Sequence, residues 1–197
     1  MTPDAMRYGT ALIVLLLVMA PLGAAAELLR AGGRPAAPDR LRVAGRATLV
    51  SLIPIVGFAV VGQVILAYLD VAVPAIAGAG GLVLLLVAWD LLHRPDAGEP
   101  TGRDGVGGTA WAIPGAVAAV IVWLSAADGR LISYLTVAAA ILTAHAVYFA
   151  TLRFSVTLLR LLGVAGINLL ARIAGVLLAA IAVQLVADSV RGFVEGA

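Results

Sequence analysis

The sequence predicts an all-α membrane protein of six transmembrane helices, and three observations carry that expectation. The chain is 62% hydrophobic and 12% charged over 197 residues, where a soluble domain carries roughly 25% charged residues. A water-soluble fold of this size leaves too much surface exposed to hide so large an apolar share. The apolar residues fall into about six stretches, each close to the roughly 20 residues that carry a helix across the hydrocarbon core. The charges gather between those stretches.

The first stretch predicts helix 1 over residues 9–29. Arg7, the apolar run Ala11 to Ala20 and Ala24-Ala25-Ala26 also have the order of a cleavable signal peptide. The apolar run continues past Pro21, however, and the next charge is Glu27, so an uncleaved helix is expected. Further stretches predict helix 2 over 44–69, helix 3 over 74–92, helix 4 over 109–127, helix 5 over 131–152 and helix 6 over 167–188. Residues 30–42 and 93–108 are polar and rich in Gly and Pro, so they read as loops. Asp70 to Pro74 and Asp128-Gly129-Arg130 read as tight turns. Within 153–166, Arg153 and Arg160 share one helical face, which predicts a short amphipathic segment at the membrane surface, ended by Gly163 or Gly166. The chain thus divides into a three-helix unit over 1–92, a cytoplasmic linker over 93–108 and a second three-helix unit over 109–197.

All thirteen basic residues are arginines. The side holding the 1–2, 3–4 and 5–6 connections carries nine of them: Arg30, Arg34, Arg40, Arg42, Arg46, Arg94, Arg103, Arg153 and Arg160. The other side carries Arg7, Arg130 and Arg191. The positive-inside bias then predicts a multi-pass protein of the inner or plasma membrane with both termini away from the cytoplasm. A net charge of +2 and a basic 1–2 loop are explained by topology and anionic lipid, without nucleic acid. Cysteine is absent, and His93 and His145 lie far apart, so neither a disulfide framework nor a metal site is expected. No Ser/His/Asp set, H-E-x-x-H or carboxylate cluster sits in one segment, so the expectation is neither an enzyme nor a cofactor protein.

The two halves echo each other. Helix 1 holds Ala20-Pro21-Leu22-Gly23 and helix 4 holds Ile113-Pro114-Gly115-Ala116, each interrupting an apolar run. Helix 3 reads Ala77-Gly78-Ala79-Gly80-Gly81, and helix 6 reads Ala171-Arg172-Ile173-Ala174-Gly175. Three helices per half is an odd number, so the second half is expected upside down relative to the first. Inverted repeats with helices broken at matching positions point to the binding site of a secondary transporter. Proline removes a backbone donor and glycine lets the chain leave helical geometry, and groups freed in this way are tolerated only inside protein or beside water. Pro21, Leu22, Gly23, Pro114 and Gly115 are therefore the candidate substrate contacts; a packing kink is the plainer reading. Pro54 and Gly57 lack a counterpart in helix 5 and read as such a kink.

Among polar residues, Arg172 stands out as a further candidate substrate contact or as one side of a gate, because a lone arginine in an apolar helix is paired or functional unless it snorkels to the headgroups. Glu27 is its candidate partner. Gln63 and His145 fall mid-helix and are candidates for a gate or for coupling, a bond to a neighbouring helix being the plainer alternative. Asp70, Asp90, Asp128 and Asp188 fall at helix ends, and Trp89, Trp111 and Trp123 suit interfacial belts. Gly78, Gly80, Gly81 and Gly175 suit close helix packing more than substrate contact.

Together these segments resemble the MarC family of six-helix membrane proteins, also called the neutral amino acid transporter family. The resemblance runs through Leu159-Arg160-Leu161-Leu162-Gly163 and through Ala171 to Gln184 (ARIAGVLLAAIAVQ). It extends to Pro21-Leu22-Gly23, to RLRVAGRA from Arg40, to PAIAGAGGLVLLLVAWDLL from Pro74, and to Pro114-Gly115-Ala116-Val117. Where the family has asparagine before P-L-G this chain has Ala20, and where it has an arginine in helix 3 this chain has Ala77. The resemblance implies transport of small neutral amino acids. The alternative is a non-transporting membrane protein that keeps the fold as a partner-binding or structural module. Expected partners are the bilayer, a small neutral solute and, left open, a second copy of the chain.

Overall fold

The computed structural model describes residues 3–25, 37–93, 107–125 and 130–195. Glu27, most of the 30–42 loop, most of the 93–108 linker and the turn at Asp128-Gly129 lie outside them. The described residues form α1 (Pro3–Met19), α2 (Ala37–Tyr68), α3 (Val73–Leu92), α4 (Gly107–Ser125), α5 (Leu131–Arg153) and α6 (Ser155–Glu195). No strand occurs among them. Five stretches are long and apolar enough to cross a bilayer: Tyr8–Ala25, Leu41–Tyr68, Val73–Leu92, Leu131–Arg153 and Ala165–Glu195. α4 contributes a shorter apolar helix, Gly115–Leu124.

Several expected boundaries move. α2 begins at Ala37, not 44, because Pro38 is tolerated in a first helical turn and Arg40 to Arg46 are ordinary helix formers. α6 runs on to Glu195, since nothing between Asp188 and Glu195 stops a helix except Gly192, whose missing side chain is used in packing. The expected short segment forms the first part of α6 and carries Arg160, whereas Arg153 closes α5, so the two arginines do not share one helix. Phe154 separates the segment from α5, and Gly163 bends it away from the spanning part at φ 65° and ψ 174°, a conformation essentially restricted to glycine.

The tightest joint lies between α3 and α6, which run antiparallel and share the most extensive contact in the fold. Pro74 meets Gly192, Gly81 meets Ala182 and Val186, and Ala88 with Leu91 meets Gly175. A side chain at Gly81 would start 2.8 Å from the Ala182 carbonyl oxygen, so the two backbones nearly touch. Small residues recur every seven positions on both sides of the joint: Gly81 and Ala88 follow Pro74, and Ala182 and Ser189 follow Gly175. Ser189 Oγ donates 2.7 Å to the Pro74 carbonyl and closes one end. In lipid, where apolar association gains nothing from leaving water, such close approach is what holds helices together.

α4 docks on a second face of α3, with Ala118 Cβ 2.7 Å from where a side chain of Gly80 would begin. α1 packs on α5, α4 and, less extensively, α6; α2 packs on α4 and α5. Leu15, Val18, Leu84, Ala116, Val120, Leu178 and Ala182 are buried in the shared interior. The turn after α2 closes by hydrogen bonds from Asp70 N to Ala67 O and from Val71 N to Leu66 O, with Asp70 in the left-handed region at φ 53°. This is the expected tight turn between helices 2 and 3.

The glycines sort into two kinds, and substitution should separate them. Gly81→Ala should destabilise the detergent-solubilised protein by about 1–3 kcal/mol, because the added methyl meets backbone that cannot yield. Gly57→Ala, whose new methyl meets nothing within 4 Å, should instead stabilise by roughly 0.5–1 kcal/mol. Thermal unfolding of the two variants beside the parent checks both signs.

Candidate functional site

Helix 1 breaks where the sequence pointed. α1 ends at Met19, Ala20 turns into the left-handed region at φ 42°, and helical geometry resumes over 21–25. Pro21 has no amide hydrogen to donate, so the Leu17 carbonyl loses the helical partner it would otherwise have. Ala20 N still reaches Leu16 O at 3.1 Å, and Ala24 N reaches Ala20 O at 3.0 Å, so the break is confined to about one turn. Alanine is a poor choice here: for a residue with Cβ the left-handed region costs about 1–2 kcal/mol. Asparagine, the residue found here in the family the sequence resembles, is one of the few that tolerate it.

Helix 4 differs from expectation. α4 is continuous through Pro114 and Gly115, so there is no second break of the kind seen at Ala20. A proline removes one hydrogen bond, but its fixed φ is helical, and without a neighbour at positive φ the chain bends and continues. Pro54 behaves the same way inside α2.

The last turn before the break nonetheless meets the glycine of the second motif. The space where a side chain of Gly115 would begin is bounded by Leu84 at 2.8 Å, Val18 at 3.5 Å and Val83 at 3.7 Å. Val18 sits in the last turn before the break, so the end of α1 leans on the glycine of α4. Gly23 is buried, and Leu22 and Pro21 are partly buried. The surroundings of Gly115 are hydrocarbon: Val18 and Leu84 are completely covered, as are Ala116 and Val120 beside it in α4.

The polar candidates do not converge on this point. Gln63 Nε2 lies 3.5 Å from the Ile121 carbonyl, tying α2 to α4. His145 is buried, its Nδ1 2.8 Å from the Ile141 carbonyl of its own helix, and its Nε2 has no hydrogen-bond partner. The ring lies beside the Ser51 backbone of α2. Ser51 and Gln63 are separated by about 18 Å of helix, so His145 and Gln63 serve different depths. Arg172 projects from the exposed side of α6. It lies one turn before Gly175, which packs on Leu91 and Leu92, so Arg172 is level with the end of α3 and within reach of the headgroup region. Its expected pairing with Glu27 falls outside the described residues. Gly78, Gly80, Gly81 and Gly175 all face neighbouring helices, as packing glycines should.

Two interhelical bonds were not anticipated: Ser189 to Pro74, and Tyr8 Oη donating 3.0 Å to Thr143 Oγ1. The seven-residue recurrence of small residues in α3 and α6 would have pointed to the first. The second left no sequence signal. Trp89 is exposed at the end of α3 and stacks on His93, as a belt residue would, whereas Trp123 packs against the core. Among the described residues no cluster of His, Asp or Glu suits a metal ion.

The profile of the MarC family integral membrane proteins matches residues 6–103 and 110–194. The chain belongs to the MarC family. Inner membrane protein YhgN of Escherichia coli (strain K12) is 27% identical over 195 residues, covering 95% of this chain and 98% of its own. A membrane protein of Archaeoglobus fulgidus is 31% identical over 162 residues, covering 76% of each. Another, from Methanocaldococcus jannaschii, is 29% identical over 168 residues, covering 78% of this chain and 73% of its own. No solved structure matches the chain. The MarC chain is thus an integral membrane protein.

Strain at the break is open to test. Ala20→Gly and Ala20→Asn should each stabilise the protein by about 1 kcal/mol, and Ala20→Val should destabilise it by a similar amount, because β-branching tolerates positive φ least. Melting temperatures in one detergent give the order.

Proposed function

We propose that this MarC protein is a secondary transporter or exporter of small polar solutes, most simply neutral amino acids. The observation that carries the reading is the broken helix inside an apolar span, its end resting on Gly115 of the other half. A helix interrupted within the bilayer frees backbone groups that must lie in protein or meet water. Helix ends of this kind supply the partial charges that bind a carboxylate or an ammonium group.

The reading includes two inverted three-helix units with both termini outside the cytoplasm. Packing supports the pairing of helices. Exchanging α1 with α4, α2 with α5 and α3 with α6 turns the α1–α5 contact into α4–α2 and the α3–α4 contact into α6–α1. The α1–α4, α2–α5 and α3–α6 contacts map onto themselves. Rocking one unit against the other would expose the break at Ala20-Pro21 and the neighbouring Val18–Gly115 contact to each side in turn.

The second reading, a non-transporting membrane module, draws on a specific observation as well: the side chains nearest Gly115 are all apolar. Uptake separates the two. Purified protein in proteoliposomes should accumulate labelled alanine or glycine, and Gly115→Val, which drives a branched side chain into Leu84 and Val18, should cut the rate at least tenfold while the protein still inserts. If the parent moves neither amino acid in either direction under a sodium or proton gradient, the transport reading fails.

A further inference from the structure

The outward side of α6 carries a stripe that a lone chain in lipid does not account for. Ile173, Leu177, Ala180, Gln184, Asp188 and Arg191 are all exposed, at spacings of three or four residues. This is the seam spacing of a helix that packs on another helix. It lies opposite Gly175, Ala182 and Ser189, the face already occupied by α3.

The depth of the polar members is set by α3. Gly192 meets Pro74 at the start of α3, and Gly175 meets Leu91 near its end. α3 spans about 30 Å, the thickness of the hydrocarbon layer. Gln184 therefore lies about 12 Å inside the Gly192 level and Asp188 about 6 Å inside it. Polar side chains at such depths face protein or a wet cavity, because lipid offers them no partner. Gln184 Nε2 donates 2.9 Å to Asp188 Oδ1, which uses one of the two amide hydrogens. Arg191 sits 3.9 Å from Asp188, a long contact between exposed groups.

We infer that this stripe is the interface with a second copy of the same chain. A two-fold axis along the membrane normal keeps both copies in one orientation, so the same residue of each meets at the same depth. Gln184 then faces Gln184, and a primary amide is its own complement in donors and acceptors. Asp188 of each copy faces Arg191 of the other. Ile173, Leu177 and Ala180 complete the seam with apolar packing. No different partner chain need be invoked: the polar part of the stripe is self-complementary.

The absence of cysteine gives a clean background for the test. Single Leu177→Cys, Ala180→Cys and Gln184→Cys variants, oxidised in native membranes, should form disulfide-linked dimers. Val176→Cys, Val183→Cys and Val190→Cys, on a neighbouring stripe where each valine is 58% exposed, should give at least fivefold less. Asp188→Arg should reduce Leu177→Cys dimers at least fivefold, and adding Arg191→Asp should restore them. Equal cross-linking on the two stripes, none on the seam, or no rescue by the double charge exchange would each overturn the proposal.

Discussion

The close approach of α3 and α6 is the constraint on which the remaining packing rests. Lipid tails are as apolar as leucine, so spanning helices gain little by hiding leucines from them. What they gain comes from backbone contact, and that requires small residues in register on both partners. Gly81 against the Ala182 carbonyl, with Ala88 and Gly175 at one end and Pro74 and Ser189 at the other, meets that requirement along the length of α3. A seven-residue repeat keeps the small positions on one side of each helix, at the cost of a slight supercoil. Once α3 is held, its next face receives Ala118 of α4 at Gly80, and Leu84 fills the notch that Gly115 leaves. α1 then closes over α4, with Val18 at the same notch.

Three prolines in spanning segments show what a helix break needs. Pro54 and Pro114 stand in helices that continue, whereas Pro21 follows a residue at positive φ and the chain departs from the helix there. Proline alone removes one hydrogen bond while holding a helical φ. The departure at helix 1 is thus a property of the Ala20 backbone, which the fold holds in place although alanine resists it. A strained residue kept inside a membrane helix, two residues beyond the Val18 that meets Gly115, is where altered backbone geometry can serve a function.

Much of the architecture was legible in the sequence, for physical reasons that also mark its limits. The bilayer imposes a length and a composition on each span, so the apolar stretches and the arginine-rich connections could be read directly. The turn at Asp70 and the bend at Gly163 were legible because few residue types fit their backbones, whereas the break at helix 1 was legible only from Pro21 and Gly23, its strained residue being an alanine. Pro114 misled, since proline is equally at home in a bent continuous helix. The end of α6 was set too early because charged residues at 188–195 resemble a boundary, yet they are good helix formers. Arg172 was read as paired, functional or snorkelling, and the register of Gly175 on Leu91 places it level with the end of α3. Tyr8 and Thr143 were invisible as a pair, because no local pattern encodes a contact between helices 135 residues apart.

The proposed solute class follows from where charge sits. Arg172 projects from the outer side of α6, Asp188 and Arg191 lie on the exposed stripe, and the nearest side chains to Gly115 are hydrocarbon. A solute with net charge at that point would be desolvated with no opposing side chain among these neighbours, a cost of several kcal/mol per ion in protein interiors. A zwitterion carries both signs, and the two ends of an interrupted helix present both partial charges at short separation. A small neutral amino acid is therefore the charged species that such a place accommodates at least cost, and its side chain would meet valine and leucine. The polarity that remains on α6 is directed away from this point and is better suited to joining chains than to recognising solute.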